Sequence, residues 1–164
     1  MHQARRAGEK HGLLKYPLQV LGLALLMVAG ALIGKLIAIP PGNVAVFWPP
    51  AGIALGIALV FGYRYFPAIW LGSFLFNNWF FYQQTHTLNP TAMLVCVGIA
   101  TGSTLQGLLG AWVVRRCGVY KQTGWRMDAV LKSLFLAGPL TCLLAASFGV
   151  GSLLAGGAIP YSAV

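Results

Sequence analysis

Acidic residues are the scarcest thing in this sequence: 2 Asp and Glu stand against 11 Lys and Arg in 164 residues. Charge of either sign is rare, 8% of the chain, where a soluble domain carries about 25%. So few charges cannot cover a water-soluble globule of this size. With 58% hydrophobic residues and a mean hydropathy of +0.76, lipid must be part of the solvent. The apolar runs contain no carboxylate, which excludes an intramembrane metal site or proton relay built on one. Cysteine is limited to Cys96, Cys117 and Cys142. None has CxxC or CxxH spacing, so zinc and redox centres are not expected, and the three read as small buried hydrophobes. The membrane part offers Cys96 and Cys142 as nucleophiles but no His as base. No Walker-type loop appears. The segment therefore reads as non-catalytic, with no cofactor and no metal.

What is present is a series of apolar runs. A membrane-crossing helix needs roughly 20 mostly apolar residues. The first run is Tyr16 to Ile39. It follows a polar tail, residues 1–15, with Arg5, Arg6, Lys10 and Lys15. The run is too long for a signal-peptide core, so it reads as a retained signal anchor. Pro40, Pro41 and Gly42 end it. The second run is Val44 to Phe61, interrupted by Trp48-Pro49-Pro50. Proline is tolerated in the first turn, so its main helix is expected to begin near Pro49. The third run is Phe66 to Tyr82, the fourth Thr91 to Val114, and the fifth about Ala129 to Ile159, with a kink expected at Pro139.

These runs predict an all-α integral membrane protein, a polytopic bundle of about five transmembrane helices in one membrane domain, residues 16–164. The basic residues orient it. With the N-terminus in the cytoplasm, Arg64, Arg115, Arg116, Lys121, Arg126 and Lys132 join the basic tail on the same side, and ten of the 11 cations fall there. The loops Pro40 to Asn43 and Gln83 to Pro90 hold none. This grouping in short loops marks topology rather than a nucleic-acid surface.

Polar residues inside the runs are the candidate sites. Lys35 lies a turn from the outer end of the first helix. It either snorkels to the interface or faces the bundle as a ligand or ion-pair site. Asn77 and Asn78 sit in the third run with Ser73 one turn earlier. They are either glue between helices or the wall of a polar pocket. The fourth run is the most polar, with Thr101, Ser103, Thr104 and Gln106. Gly98, Gly102, Gln106 and Gly110 recur every fourth residue on one face, where small residues let a neighbouring backbone approach and Gln106 bond across. GxxxG pairs also occur at Gly30/Gly34 and Gly52/Gly56, explained as well by packing within the chain as by dimerisation.

One stretch carries a resemblance. Phe47-Trp48-Pro49-Pro50-Ala51-Gly52, then Gly62-Tyr63-Arg64-Tyr65-Phe66-Pro67 and Gly72-Ser73-Phe74-Leu75-Phe76-Asn77, then Gly102-Ser103-Thr104-Leu105-Gln106-Gly107-Leu108-Leu109-Gly110-Ala111 stand in an order and spacing similar to the MASE1 family. The resemblance spans about Phe47 to Arg116. It implies a sensor region in the bacterial inner membrane, attached to a histidine kinase, a diguanylate cyclase or a cyclic-di-GMP phosphodiesterase. A C-terminal cytoplasmic output domain, a second copy of the chain and a small-molecule or protein signal are the partners it implies, besides the bilayer. Ser103 stands where the family often has Asn, and Gln106 where it often has Glu; the amide keeps hydrogen bonding but does not titrate. The family's later Trp-rich stretch with a G-D-x-x-G motif does not appear, so the expectation is a truncated N-terminal part of a longer sensor. The alternative reading is a substrate-binding membrane subunit of a transporter, which also uses a small helical bundle with polar interior residues.

Overall fold

The computed structural model describes residues 2–38, 48–87, 90–116 and 127–157, with side chains described from Lys15 in the first segment and from Gly138 in the last. Among these the chain is all-helical: α1 His2–Leu36, α2 Pro49–Val60, a 3-10 turn Tyr63–Tyr65, α3 Phe66–Thr85, α4 Pro90–Arg116 and α5 Met127–Ala155. Lys15–Leu36, Pro90–Arg116 and Gly138–Ala155 are long and apolar enough to cross a membrane. α3 has the length, at 20 residues, but Asn77, Asn78, Gln83 and Gln84 lower its hydropathy. The 12 residues of α2 make a helix of about 18 Å, short of the roughly 30 Å hydrocarbon core.

The helix boundaries adjust the expectation in three places. α1 extends back through the basic tail to His2 rather than starting at Tyr16. The tail is rich in Ala, Arg, Lys, Glu and Leu, all good helix formers. α3 continues through Gln83 and Gln84, expected as loop, and ends on His86 in the left-handed region at φ 52°. Arg115 and Arg116 belong to α4 rather than to the basic loop. The α2 start at Pro49 is as expected, with Trp48 at the N-cap. Ile39, Pro40 to Asn43, Lys121, Arg126 and Ile159 lie outside the described residues, and the Lys132 side chain is not described.

Successive helices run in opposite directions. Gly30 and Gly34 of α1 face Ile53, Pro49 and Trp48 of α2, so α2 descends beside the rising α1. Ala24 and Met27 pack on Gly72 of the rising α3. On α4, Arg115 reaches Ala58 and Leu59 at the end of α2. Gly98 meets Ser152 of α5 and Gly102 meets Phe148, an antiparallel register. α1, α2, α4 and α3 close a ring in that order, each packed on its neighbours; α5 packs almost wholly against the outside of α4.

Alanines are prominent at the buried positions, and long leucines coat the outside. Ala24, Ala58, Ala68, Ala100 and Ala111 are fully buried, while Leu18, Leu36, Leu94 and Leu143 are 69 to 84% exposed. Water would not tolerate such a leucine coat; lipid tails are as apolar as leucine, so helices associate through close packing of small residues instead. Gly72 illustrates the requirement, since a Cβ there would lie 2.8 Å from the Ala24 carbonyl oxygen. Towards the Tyr16 end the ring is filled by Met27, Ala54, Ile57, Tyr65 and Ile69. Towards the other end the filling changes to polar side chains.

A polar cavity inside the four-helix ring

α3 and α4 face each other with hydroxyls and amides. Ser73 and Asn77 are one turn apart, and Asn77 Nδ2 donates to the Ser73 carbonyl at 2.7 Å and its hydroxyl at 3.4 Å. Ser73 Oγ donates across the interface to Ser103 Oγ at 3.3 Å. Beside it, Trp70 Nε1 donates to Thr101 Oγ1 at 3.3 Å. Lipid offers no such partner, so each cross-helix bond also satisfies groups that the bilayer could not. Other polar residues are satisfied locally. Asn78 donates to Phe74 O at 3.0 Å, and buried Thr104 donates to Ala100 O at 2.7 Å. Both bonds stay within their own helix and build no site.

The ring encloses a cavity of about 80 Å³. All four of its helices contribute. Met27 and Ala31 come from α1, and Pro50, Ala51 and Ala54 from α2, with Trp48 at its cap. Gly72, Ser73, Phe76 and Asn77 come from α3, and Ile99, Ser103 and Gln106 from α4. Four residues singled out from the sequence, Trp48, Asn77, Ser103 and Gln106, thus meet in one place; Lys35, Asn78 and Thr104 are not in its wall. Trp48 packs edge-on to Phe76 with centroids 6.1 Å apart, closing the wall towards the α1 C-terminal end. It fits there because Gly34 has no side chain: a Cβ would stand 2.8 Å from the indole.

Lys35 does not line the cavity. Its ammonium sits 4.5 Å from the Trp79 ring centroid and 5.2 Å from that of Phe80, half-buried. An aromatic face is a natural partner for a cation, and no carboxylate stands among the described side chains. Phe76 joins this pair to the cavity wall, with its ring 6.0 Å from Trp79.

Gln106 is the residue that belongs to both parts of the molecule. It lines the cavity, and its Nε2 donates to Cys142 Sγ on α5 at 3.4 Å. Around it, Gly98 and Gly102 bring α5 against α4, in contact with Ser152 and Phe148, while Gly110 lies between Leu55 of α2 and Thr141 of α5. The four-residue spacing read from the sequence is this seam. Gly30 and Gly34 likewise pack within the chain, whereas a Cβ on Gly52 or Gly56 would meet nothing within 4 Å. Cys96 is buried as expected, but Cys142 is exposed and accepts the Gln106 bond; Cys117 lies outside the described residues.

The opposite end of the ring holds a cluster that sequence reasoning assigned only to topology. Arg115 Nη2 donates to the carbonyls of Ala58 at 2.9 Å and Leu59 at 3.2 Å, and its guanidinium lies 4.7 Å from the Tyr63 ring. The last carbonyls of a helix lack partners inside it, and a guanidinium at its negative end satisfies them. The Arg64 guanidinium lies beside both Tyr16 and Tyr65, at 5.2 and 5.4 Å, and the two rings touch each other. Tyr16 Oη donates to Arg64 O at 2.7 Å, and Tyr65 Oη to Gln19 Oε1 at 2.6 Å. The signal in the sequence was the shortness of α2 with tyrosines flanking its end. The described residues contain no group of three His, Cys, Asp or Glu side chains able to hold a metal.

In comparison with known families, the model of the MASE1 family aligns with residues 18–164, well beyond the stretch of motifs on which the resemblance rested. Curated proteins and solved structures gave no match.

Proposed function

The chain belongs to the MASE1 family of membrane-associated sensor domains of signalling proteins, and from that membership we propose that it is the sensory input module of a bacterial signal-transduction protein. Its output is of the histidine-kinase or cyclic-di-GMP cyclase and phosphodiesterase type, and its own role is non-catalytic. It sits in the inner membrane with five spans and the N-terminus in the cytoplasm. The alternating helix directions support this. So does the grouping of Lys15, Arg64, Arg115 and Arg116 at one end of the ring, the arrangement that the positive-inside rule expects. A reporter fused at His86 should be active only outside the cytoplasm; cytoplasmic activity there would overturn the topology.

The observation that carries the sensory reading is the double attachment of Gln106. One side chain faces a cavity built by α1 to α4 and also holds α5. A ligand held by the Gln106 amide oxygen turns the amide whose nitrogen donates to the Cys142 thiol, a weak acceptor, and so shifts α5 along its glycine seam. Ligand binding is then a change between two packings of α5, as a population shift requires. Asn77→Leu and Gln106→Leu, introduced into the complete reading frame, test it. Both should remove or lock the signal response while the protein still inserts in the membrane. A normal response from both would reduce these residues to helix glue.

A further inference from the structure

The cavity wall also states what kind of molecule it accepts, if the sensory reading above holds. None of its lining residues is Asp, Glu, Lys, Arg or His. The nearest described cation, Lys35, is held over Trp79 and Phe80 instead. A charged ligand would lose its hydration and find no counter-charge. The polar part of the wall is made of amides and hydroxyls, and three of its groups already donate: Asn77 Nδ2 to Ser73, Ser73 Oγ to Ser103 and Gln106 Nε2 to Cys142. The oxygens Asn77 Oδ1 and Gln106 Oε1 accept no hydrogen bond among the described residues. An amide oxygen has two lone pairs, so the wall asks for a donor. Trp48 and Phe76 add flat apolar faces. The volume, about 80 Å³, is that of a handful of water-sized groups at roughly 10–15 Å³ each.

We infer that the ring cavity binds a small uncharged ligand carrying an N–H or O–H donor, amide-like or alcohol-like, and rejects its charged isosteres. The ligand donates to Asn77 Oδ1 and Gln106 Oε1 and lies against Trp48.

The test uses the full chain in phosphatidylcholine nanodiscs and two pairs of probes of matched shape. Acetamide is paired with acetate, and urea with guanidinium. Saturation-transfer NMR on the probes should give saturable binding of acetamide and urea in the millimolar range. Acetate and guanidinium should bind at least about tenfold more weakly. Ser103→Leu, which fills the cavity, should weaken acetamide by a similar factor. Ser103→Val is the milder substitution if the leucine prevents folding, with helicity by circular dichroism as the check. Equal binding within a pair, or acetamide binding unchanged by both substitutions, would overturn the inference. Absence of saturable binding by either neutral probe, while Gln106→Leu and Asn77→Leu abolish signalling, sinks the ligand class and leaves the sensory reading standing. Binding as expected with normal signalling in those variants does the reverse.

Discussion

The four-helix ring and α5 are both apolar helical structure, yet they are held in different ways. In the ring, three kinds of contact act on the same helices: close backbone approach at Gly72, cross-helix hydrogen bonds at Ser73–Ser103 and Trp70–Thr101, and the Arg115 cap on α2. Among the described residues, α5 meets α4 along a glycine seam and through the Gln106 bond to the Cys142 thiol. Only 6% of its span is buried, against 33% of α4. Each ring helix is held by two neighbours and α5 almost wholly by one, so the two packings of the proposed signal fall to α5 and the ring is the more rigid half.

The largest expected effect tests the rigid half. Gly72→Leu drives a side chain into the Ala24 backbone, which cannot rotate away, and should cost about 3 kcal/mol in a denaturant titration of the micelle-embedded protein. Arg115→Ala should follow. It leaves the Ala58 and Leu59 carbonyls without their guanidinium and should cost about 2 kcal/mol; Arg115→Lys should recover only part, lacking the planar fork. On the α5 side, Gly102→Leu meets Phe148 at its Cβ, which no rotamer change moves, so α5 must shift as a body. The expected cost is about 1 kcal/mol, but the distance between spin labels on α4 and α5 should grow while distances within the ring stay fixed. If the ring distances change as well, the division into two parts is wrong. Gln106→Leu should lower stability by only about 0.6 kcal/mol, the usual scale of a hydrogen bond between membrane helices, while changing the α4–α5 distance distribution. Smallest of all, Gly52→Ala and Gly56→Ala face open space and should be neutral or stabilise α2 by up to about 1 kcal/mol. A loss of stability in thermal unfolding would instead mark that face as an interface with another molecule.

Much of the fold was legible because bilayer chemistry writes it in one dimension. Apolar runs and breaks at Pro49 or Gly62 follow from local rules about hydration and proline. The α4 glycines announced a helix seam by their spacing alone, and that seam is the one with α5. The candidate site was legible as a set of residue types but not as a group. Asn77 and Asn78 are neighbours in sequence and equally out of place in lipid. Yet adjacent helix positions point about 100° apart, so one lines the cavity and the other bonds its own helix. Lys35 was conspicuous as the lone outer cation, but its partners are 44 and 45 positions away and became neighbours only when α3 rose beside α1. The Arg115 cap was illegible for the same reason, since it joins α4 to a helix end 56 residues earlier.

The sequence by itself therefore determined the solvent, the helices and the MASE1 membership. Two acidic residues in 164 and the spacing of the apolar runs permit little else. Only the tertiary structure decided which polar residues act together. Hydrogen bonds and aromatic contacts reach a few ångströms, and what lies within that reach depends on how α1, α2, α4 and α3 close into a ring. The same closure left Gln106 between the cavity and α5, a position that no property of glutamine in a helix could announce.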